Sequence, residues 1–453
     1  MYLSDLALTD FRSYERAIVA LKPGVTVLVG ENGQGKTNLI EAVGYLSTLS
    51  SHRVSGDAAL VRQGATAAVV QARVVRSSAP TTVEVEIYSG RANRARINRG
   101  LVRPPEIVGT VRSVLFAPED LELVSGDPAA RRSFLDRIMV QLRPRMVAVK
   151  SEYDRAARQR AALLKSAGAA RRGGGSADAA ALDVWDVQLA RLGARITAAR
   201  AEIVARLRPR VDEFYAKVSG GRGPAEIAYR ASAGRLTERA NGAGGGPDFG
   251  EGTQEELRDV ELNEIRLISA MAERREEEIR RGVNLVGPHR DELELALGTL
   301  PARGYASHGE SWSYALALKL ASWRVLCGDE SGEWAEGGEP VLILDDVFAE
   351  LDARRRDRLA RIVEEAEQAI VTAAVGSELP AELGGRRLTV TLGNVSEEPE
   401  SVSEEMTSVV EESGNVVKES GNVAEETRSD GEEDGGNAPV AGNGRAAEGG
   451  GDG

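Results

Sequence analysis

The sequence predicts an α/β nucleotide-binding fold, split in two by a mainly helical insert and followed by a disordered acidic tail. Three observations predict it. Gly30 to Thr37 reads GENGQGKT, the spacing of a phosphate loop. Val341 to Leu344 is an aliphatic run that ends in Asp345-Asp346. Lys36 and Asp345 stand 309 residues apart, and the chain between them turns helical and basic.

The loop has the flanks it needs. Val25-Thr26-Val27-Leu28-Val29 is an apolar, β-rich run, and Asn38 to Val43 has a helical pattern. Strand, loop and helix in that order gather free N–H groups and a helix N-terminus around one anion. Gly30, Gly33 and Gly35 let the backbone curl closely around phosphates. Glu31, Asn32 and Gln34 complete the candidate loop, which by itself implies an ATP or a GTP site. Lys36 is the candidate to neutralise the β- and γ-phosphates, and Thr37 the candidate hydroxyl ligand for Mg²⁺.

Residues 1–125 read as the first half of the nucleotide-binding domain. Leu3 to Leu8 alternates as an edge strand, and Asp10 to Tyr14 follows as a turn. The loop helix runs to about Leu49. Val69–Val75 and Thr82–Tyr88 have the two-residue period of strands, broken by Ser77-Ser78-Ala79-Pro80, and Val111–Phe116 is a third strand.

Residues 126–283 read as the helical insert. Its clearest helix is Asp186–Val218, where Leu189, Leu192, Ile196, Ile203, Leu207, Val211, Phe214 and Val218 recur in steps of three, four or seven. Arg131–Lys165 and Gln254–Arg281 are also helical in pattern. Arg171 to Ser176 reads as the exposed tip of a helical hairpin, and Asn241 to Gly252 as a second flexible patch. From Arg137 to Arg222 there are 18 Lys or Arg against 8 Asp or Glu. By composition alone this fits solvated helix faces as well as a DNA surface. Few aromatics accompany the charge, which favours backbone contacts over base stacking. Arg155, Arg158, Arg171 and Arg172 are the candidate DNA-binding residues.

Residues 284–394 return to an α/β pattern. Ser311–Leu326 is an apolar helix, Arg354–Glu367 a charged one, and Ala369–Ala373 and Leu388–Leu392 are strands. The two acids after Leu344 fall where ligands sit on a parallel sheet. Asp345 is placed to hold Mg²⁺ through water, and Asp346 to orient and polarise an attacking water. Ser307-His308-Gly309-Glu310 opens the apolar helix. It is a candidate anion site, and by itself equally an ordinary cap.

Composition narrows the class. The whole chain carries a net charge of −13. Residues 395–453 hold 16 acidic and 3 basic groups, so the remaining 394 residues are neutral overall. The acidity therefore belongs to the tail and does not argue against DNA binding by the body. The tail is rich in Glu, Gly, Ser and Asn, and repeats GNVSEE, GNVVKE and GNVAEE. Such a segment buries too little surface to order itself. No apolar run approaches the ~18 residues of a membrane span. The start of the chain lacks the pattern of a secretion signal. One cysteine, Cys327, suits a reducing cytoplasm and excludes an internal disulfide framework.

The order of motifs resembles the ATP-binding-cassette heads of the SMC class. Longer matches resemble the RecF family of bacterial recombination mediators: LTDFRSYERA at 8–17, LFAPEDLELVSGDPAARRSFLD at 115–136, GPHRDEL at 287–293, ALALKLA at 315–321 and LILDDVFAELD at 342–352. The resemblance runs from residue 1 to about 394. It implies an ATP-dependent homodimer closed on two ATP molecules. Ser307 of one copy would act in trans on the phosphate held by Lys36 of the other. It also implies weak, DNA-stimulated ATP hydrolysis used as a timer. The implied partners are duplex, gapped and single-stranded DNA, with RecR and RecO in loading RecA. Glu119 matches a loop residue that senses Mg²⁺ and the attacking water, and Arg12 is a candidate to reach the nucleotide. Two positions depart from the pattern: His308 stands where glutamine is usual, and Thr372 near the place of a switch histidine. Both bear on hydrolysis rate rather than on nucleotide binding. His289, in GPHRD, reads as readily as a hydrogen-bonded turn histidine as a functional one.

Overall fold

The computed structural model describes residues 1–397, except 55, 77–78, 173–178, 221–222, 235–250, 329–337, 377–378 and 381–382. The expected disordered tail lies outside the described residues, as does most of the patch at 241–252 and of the hairpin tip at 171–176.

Two sheets flank the phosphate-loop helix. The first is antiparallel. It contains β1 (Tyr2–Phe11), β2 (Tyr14–Ala20), β4 (Ala67–Arg76), β5 (Ala79–Tyr88), β6 (Arg94–Ile97) and β7 (Gly100–Val102), in the order β2-β1-β4-β5-β6-β7. The second holds β3 (Gly24–Val29), β8 (Ser113–Phe116), β12 (Val341–Leu344), β13 (Gln368–Ala373), β14 (Arg386–Thr391) and β15 (Asn394–Glu397), in the order β15-β14-β3-β13-β12-β8. Its strands are parallel except for β15. All residues of β12 and β13 are buried, as the continuous aliphatic run of a central parallel strand requires.

Two expectations are corrected here. The strand at Leu3–Leu8 is not an edge: β1 pairs with β2 on one side and β4 on the other. The missing neighbour was β2, which folds back through a tight turn at Arg12-Ser13 with Phe11 opposite Tyr14. The tail does not begin at 395 either. Val395 to Glu397 pair with β14 through a hairpin at Leu392-Gly393. Both turn residues take positive φ (43° and 82°), the geometry of a tight two-residue hairpin.

The helices are α1 (Lys36–Thr48), α2 (Glu122–Ser125), α3 (Pro128–Leu142), α4 (Met146–Arg172), α5 (Ala179–Ser219), α6 (Glu251–Glu256), α7 (Val260–Arg281), α8 (His308–Cys327) and α9 (Ala353–Glu364). The 41-residue α5 packs on α4, α7 and α8, so the insert is anchored to the helix that carries Ser307. One apolar core runs from α5 (Leu189, Leu207) through α8 (Leu316, Trp323) to β12 and β13. A three-stranded sheet, β11-β10-β9, lies beside it. It consists of β9 (Ala225–Arg230), β10 (Glu292–Leu297) and β11 (Leu300–Pro301).

Candidate nucleotide-binding site

The strand order explains the site. The strands β3 and β12 are parallel with β13 between them, so their C-terminal ends share one edge. The phosphate loop leaves β3 there, and Asp345-Asp346 leave β12. Thr372, near the end of β13, sits between the two.

Each loop glycine does a different job. Gly33 and Gly35 take φ of 86° and 111°, in the left-handed region that favours glycine. Gly30 lies against β14, where a Cβ would come within 2.3 Å of the Val390 carbonyl oxygen. The Tyr14 hydroxyl donates to the Gly35 carbonyl at 3.1 Å. Gln34 ties the loop to the last hairpin, its side-chain oxygen accepting from Leu392 N–H at 2.7 Å.

The Lys36 side chain folds over the loop. Its ammonium donates to the carbonyls of Gly30 (2.5 Å) and Glu31 (3.2 Å), while the residue is 3% exposed. These acceptors are neutral, and among the described residues no carboxylate pairs with the ammonium. Glu31 and Asn32 stand exposed at the mouth of the loop.

The acids meet hydroxyls. Thr37 Oγ1 donates to Asp345 Oδ1 at 3.3 Å, and Thr372 Oγ1 to the same oxygen at 2.6 Å. Thr372 Oγ1 is also 3.2 Å from Asp346 Oδ1 and accepts from Asp346 N–H at 2.8 Å. Burial pushes the Asp345 carboxyl up to about 6, and the charges of Asp346 and Glu119 push the same way. The Thr372 and Thr37 hydroxyls oppose the rise. Asp346 is held at φ 51°, which a non-glycine residue rarely adopts. A hydroxyl beside a crowded carboxylate is the hard oxygen set that suits Mg²⁺.

The remaining candidates are placed as follows. Glu119 is exposed on the turn after β8, close enough to raise Asp345. Arg12 forks onto Glu41 of α1 at 2.8 and 2.6 Å and onto the Ala59 carbonyl. That pairing ties the turn after β1 to the phosphate-loop helix. Ser307 caps α8 in a reciprocal box with Glu310. Its hydroxyl donates to Glu310 Oε2 at 2.6 Å. It is exposed, and its hydrogen bonds stay within its own first turn. His308 accepts from Trp312 Nε1 at 3.2 Å. His289 is held between Tyr153 and the Asn284 carbonyl, and burial holds its pKa down at about 4. On α4, Arg155 and Arg158 are exposed, and Arg171 lies 4.0 Å from Glu276. The side chain of Arg172 lies outside the described residues.

Sequence reasoning missed Glu41 and undervalued Thr372. Glu41 is fully buried, and a lone acid on the apolar pattern Asn38–Val43 was its signal.

The family described as "RecF/RecN/SMC N terminal domain" matches residues 2–379. The chain is 59% identical over 399 residues to the DNA replication and repair protein RecF of Beutenbergia cavernae, covering 87% of this chain and 99% of that one. The chain belongs to the RecF family. A RecF from Streptomyces avermitilis is 53% identical over 397 residues, again covering 87% and 99%. Two solved structures of the recombination mediator protein RecF in the RecFOR pathway, one with ATPrS and one with ATP, superpose with TM-scores of 0.74. They share 26% and 25% identity and cover 88% of this chain and 98% of theirs. The fold is thus that of an SMC-type ATPase head, and ATP is the nucleotide seen in a solved RecF.

Proposed function

We propose that this chain is an ATP-gated, DNA-binding homodimer that serves recombinational gap repair, replication and SOS induction. Lys36, Thr37 and the N–H groups of residues 30–37 hold the phosphates. Thr37 and Asp345 hold Mg²⁺, which supplies charge neutralisation at the phosphates. Asp346 orients the attacking water, with Glu119 beside it. Ser307 of the second copy closes the site, and slow, DNA-stimulated hydrolysis reopens it.

One observation supports this reading above the others. Lys36, Thr37, Asp345 and Asp346 converge at one sheet edge, whereas Ser307 presents an exposed helix N-terminus engaged only with Glu310. A helix N-terminus facing solvent, partly positive through the helix dipole, is suited to a phosphate brought by another copy once Glu310 gives way. The proposed setting is the cytoplasm. RecR and RecO are the proposed partners, in loading RecA at single-strand gaps, by analogy with the named relatives. The insert at 126–283 is the proposed DNA lobe between the head halves 1–125 and 284–394.

Sizing with and without Mg-ATP tests it. Wild type is expected to dimerise with ATP. Lys36→Met is expected to stay monomeric because it binds no ATP. Ser307→Arg is expected to bind ATP and still stay monomeric. A Ser307→Arg protein that dimerises like wild type would sink the trans assignment.

Thr372 favours a second reading, a DNA scaffold that binds ATP without hydrolysing it. Its hydroxyl occupies both acids and has no titration near neutral pH. Phosphate release by wild type that Asp346→Asn abolishes excludes the scaffold.

A further inference from the structure

A cleft of about 580 Å³ opens where the phosphate-loop helix meets the insert. Thr48 and Ser50, at the end of α1, form one wall. The α3 and α4 helices form the others, with His289 and Arg200 at the back. Its charge is one-sided. Asp136 is neutralised by Arg200 at 2.8 Å, and Asp154 by Lys150 at 2.9 Å. Arg132, Arg137 and Arg158 also line the cleft. Among the described residues none of these three pairs with a carboxylate. Arg132 donates only to the Asp291 carbonyl oxygen. Burial, then the neighbouring Arg200, hold its pKa below the usual arginine value. Ser133 and Ser151, both exposed, add hydroxyls to the same walls.

We propose that this cleft seats the phosphodiester backbone of DNA. The inference rests on the DNA-binding reading above and gives it a location. Three arginines without a carboxylate contact (Arg132 half-buried beside Glu292 and Asp291) and two neutralised acids leave a surplus of positive charge that an anion relieves. Arginine forks match phosphate oxygens in pairs. An acidic protein fits less well, because a peptide interface needs a buried apolar anchor. Here Val140 and Ile196 are already sealed into the fold at 8% and 2% exposure. The cleft also continues outward. Arg155, Arg158 and Arg171 follow Lys150 along α4. At the helical rise Arg171 lies about 20 Å beyond Arg158, the last of them that lines the cleft. The length suits a polymer rather than a single phosphate.

The position matters as much as the charge. Arg137 lines the cleft and also two smaller cavities behind it, shared with His52 and Lys319. Lys319 is buried, donates to the Leu115 carbonyl on β8, and pairs with Asp120 at 2.8 Å. Asp120 follows Glu119. A phosphate at Arg137 therefore lies at the end of a short polar path to the edge of the nucleotide site.

The test uses the full chain with Mg-ATP and a gapped duplex, read by fluorescence anisotropy across a salt series. Arg137→Gln with Arg158→Gln is expected to weaken binding at least tenfold and to lower the salt slope by about 1.8, two phosphates' worth. Arg171→Gln alone is expected to lower the slope by about 0.9 or less. Thermal melting of each variant separates lost binding from lost fold. For a readout free of stability, Ser151→Cys carrying a benzophenone is expected to crosslink to labelled DNA. Wild-type affinity and slope in the double variant, with no crosslink, overturn the cleft while DNA binding stands. A wild type that binds no DNA overturns the underlying reading instead. Crosslinking to polyglutamate but not to DNA overturns the proposal in favour of an acidic protein.

Discussion

Lys36 and Arg160 are both buried cations, yet they are held in opposite ways. Lys36 rests on two neutral carbonyls, Gly30 and Glu31. Arg160, on α4, is enclosed by Asp186 (2.5 Å), Glu278 (2.6 Å) and Asn284 (2.9 Å). A phosphate can displace the first set because no counter-charge is lost. Nothing can displace the second without stranding the buried Glu278, because Asp186 alone keeps a second cation in Arg275. A buried charge with neutral partners is one kept for exchange, and a buried charge with ionic partners is one kept for architecture.

Breaking the architectural pair gives the largest effect. Arg160→Ala is expected to cost about 3–5 kcal/mol, since Glu278 stays buried without its cation. Lys36→Met is expected to change stability by about 1 kcal/mol or less. Denaturant melts of both check the contrast, and equal losses would erase it.

A pH series comes next in size. The Asp345 pKa is raised from 3.8 to about 6. Its contribution to stability is full below the unfolded value and is lost as pH rises through 6. At pH 8 the buried carboxylate therefore costs about 3 kcal/mol. Asp345→Asn, without nucleotide or Mg²⁺, is expected to melt above wild type at pH 8, with the gap narrowing below pH 6 and closing only below about pH 4. His289 runs the other way. Its pKa is lowered from 6.5 to about 4. It stabilises above 6.5 and loses that contribution as pH falls through 4. His289→Gln is expected to flatten the acid side of the melting curve. A constant gap for Asp345→Asn would show that burial does not set that carboxyl.

The smallest effect belongs to the surface. Arg171 sits 4.0 Å from Glu276, with both side chains mostly exposed. Arg171→Gln is expected to shift stability by less than about 0.5 kcal/mol. A larger loss in a melt would move Arg171 from the DNA track into the architecture.

These contrasts also mark what was legible in the sequence. The loop Gly30–Thr37 and the strand Val341–Leu344 could be read because each carries its pattern within eight residues. The helix at 186–218 could be read because its large apolar residues recur at helical spacing, even though residues 192–201 are buried almost all round. The sheet β9–β10 could not: Ala225–Arg230 pairs with Glu292–Leu297, more than sixty residues away, and neither six-residue run announces its partner. In sequence Arg12 is a candidate to reach the nucleotide; its fork onto Glu41 was not legible, because nothing local joins the turn after β1 to the face of α1. Likewise Ser307 showed as a cap in sequence and is a cap in structure. The trans role proposed for it depends on a second copy that no single chain contains.

The grip of Gln34 on Leu392 makes the final hairpin a lever on the phosphate loop. Leu392 is 82% exposed at the tip, and Gly30 rests against Val390 on the same hairpin. A rearrangement of the loop at Gly30 or Gln34 would be felt at those two contacts. A fluorophore at position 392 would then act as a gauge of nucleotide occupancy, readable in solution without labelling the nucleotide or disturbing the site.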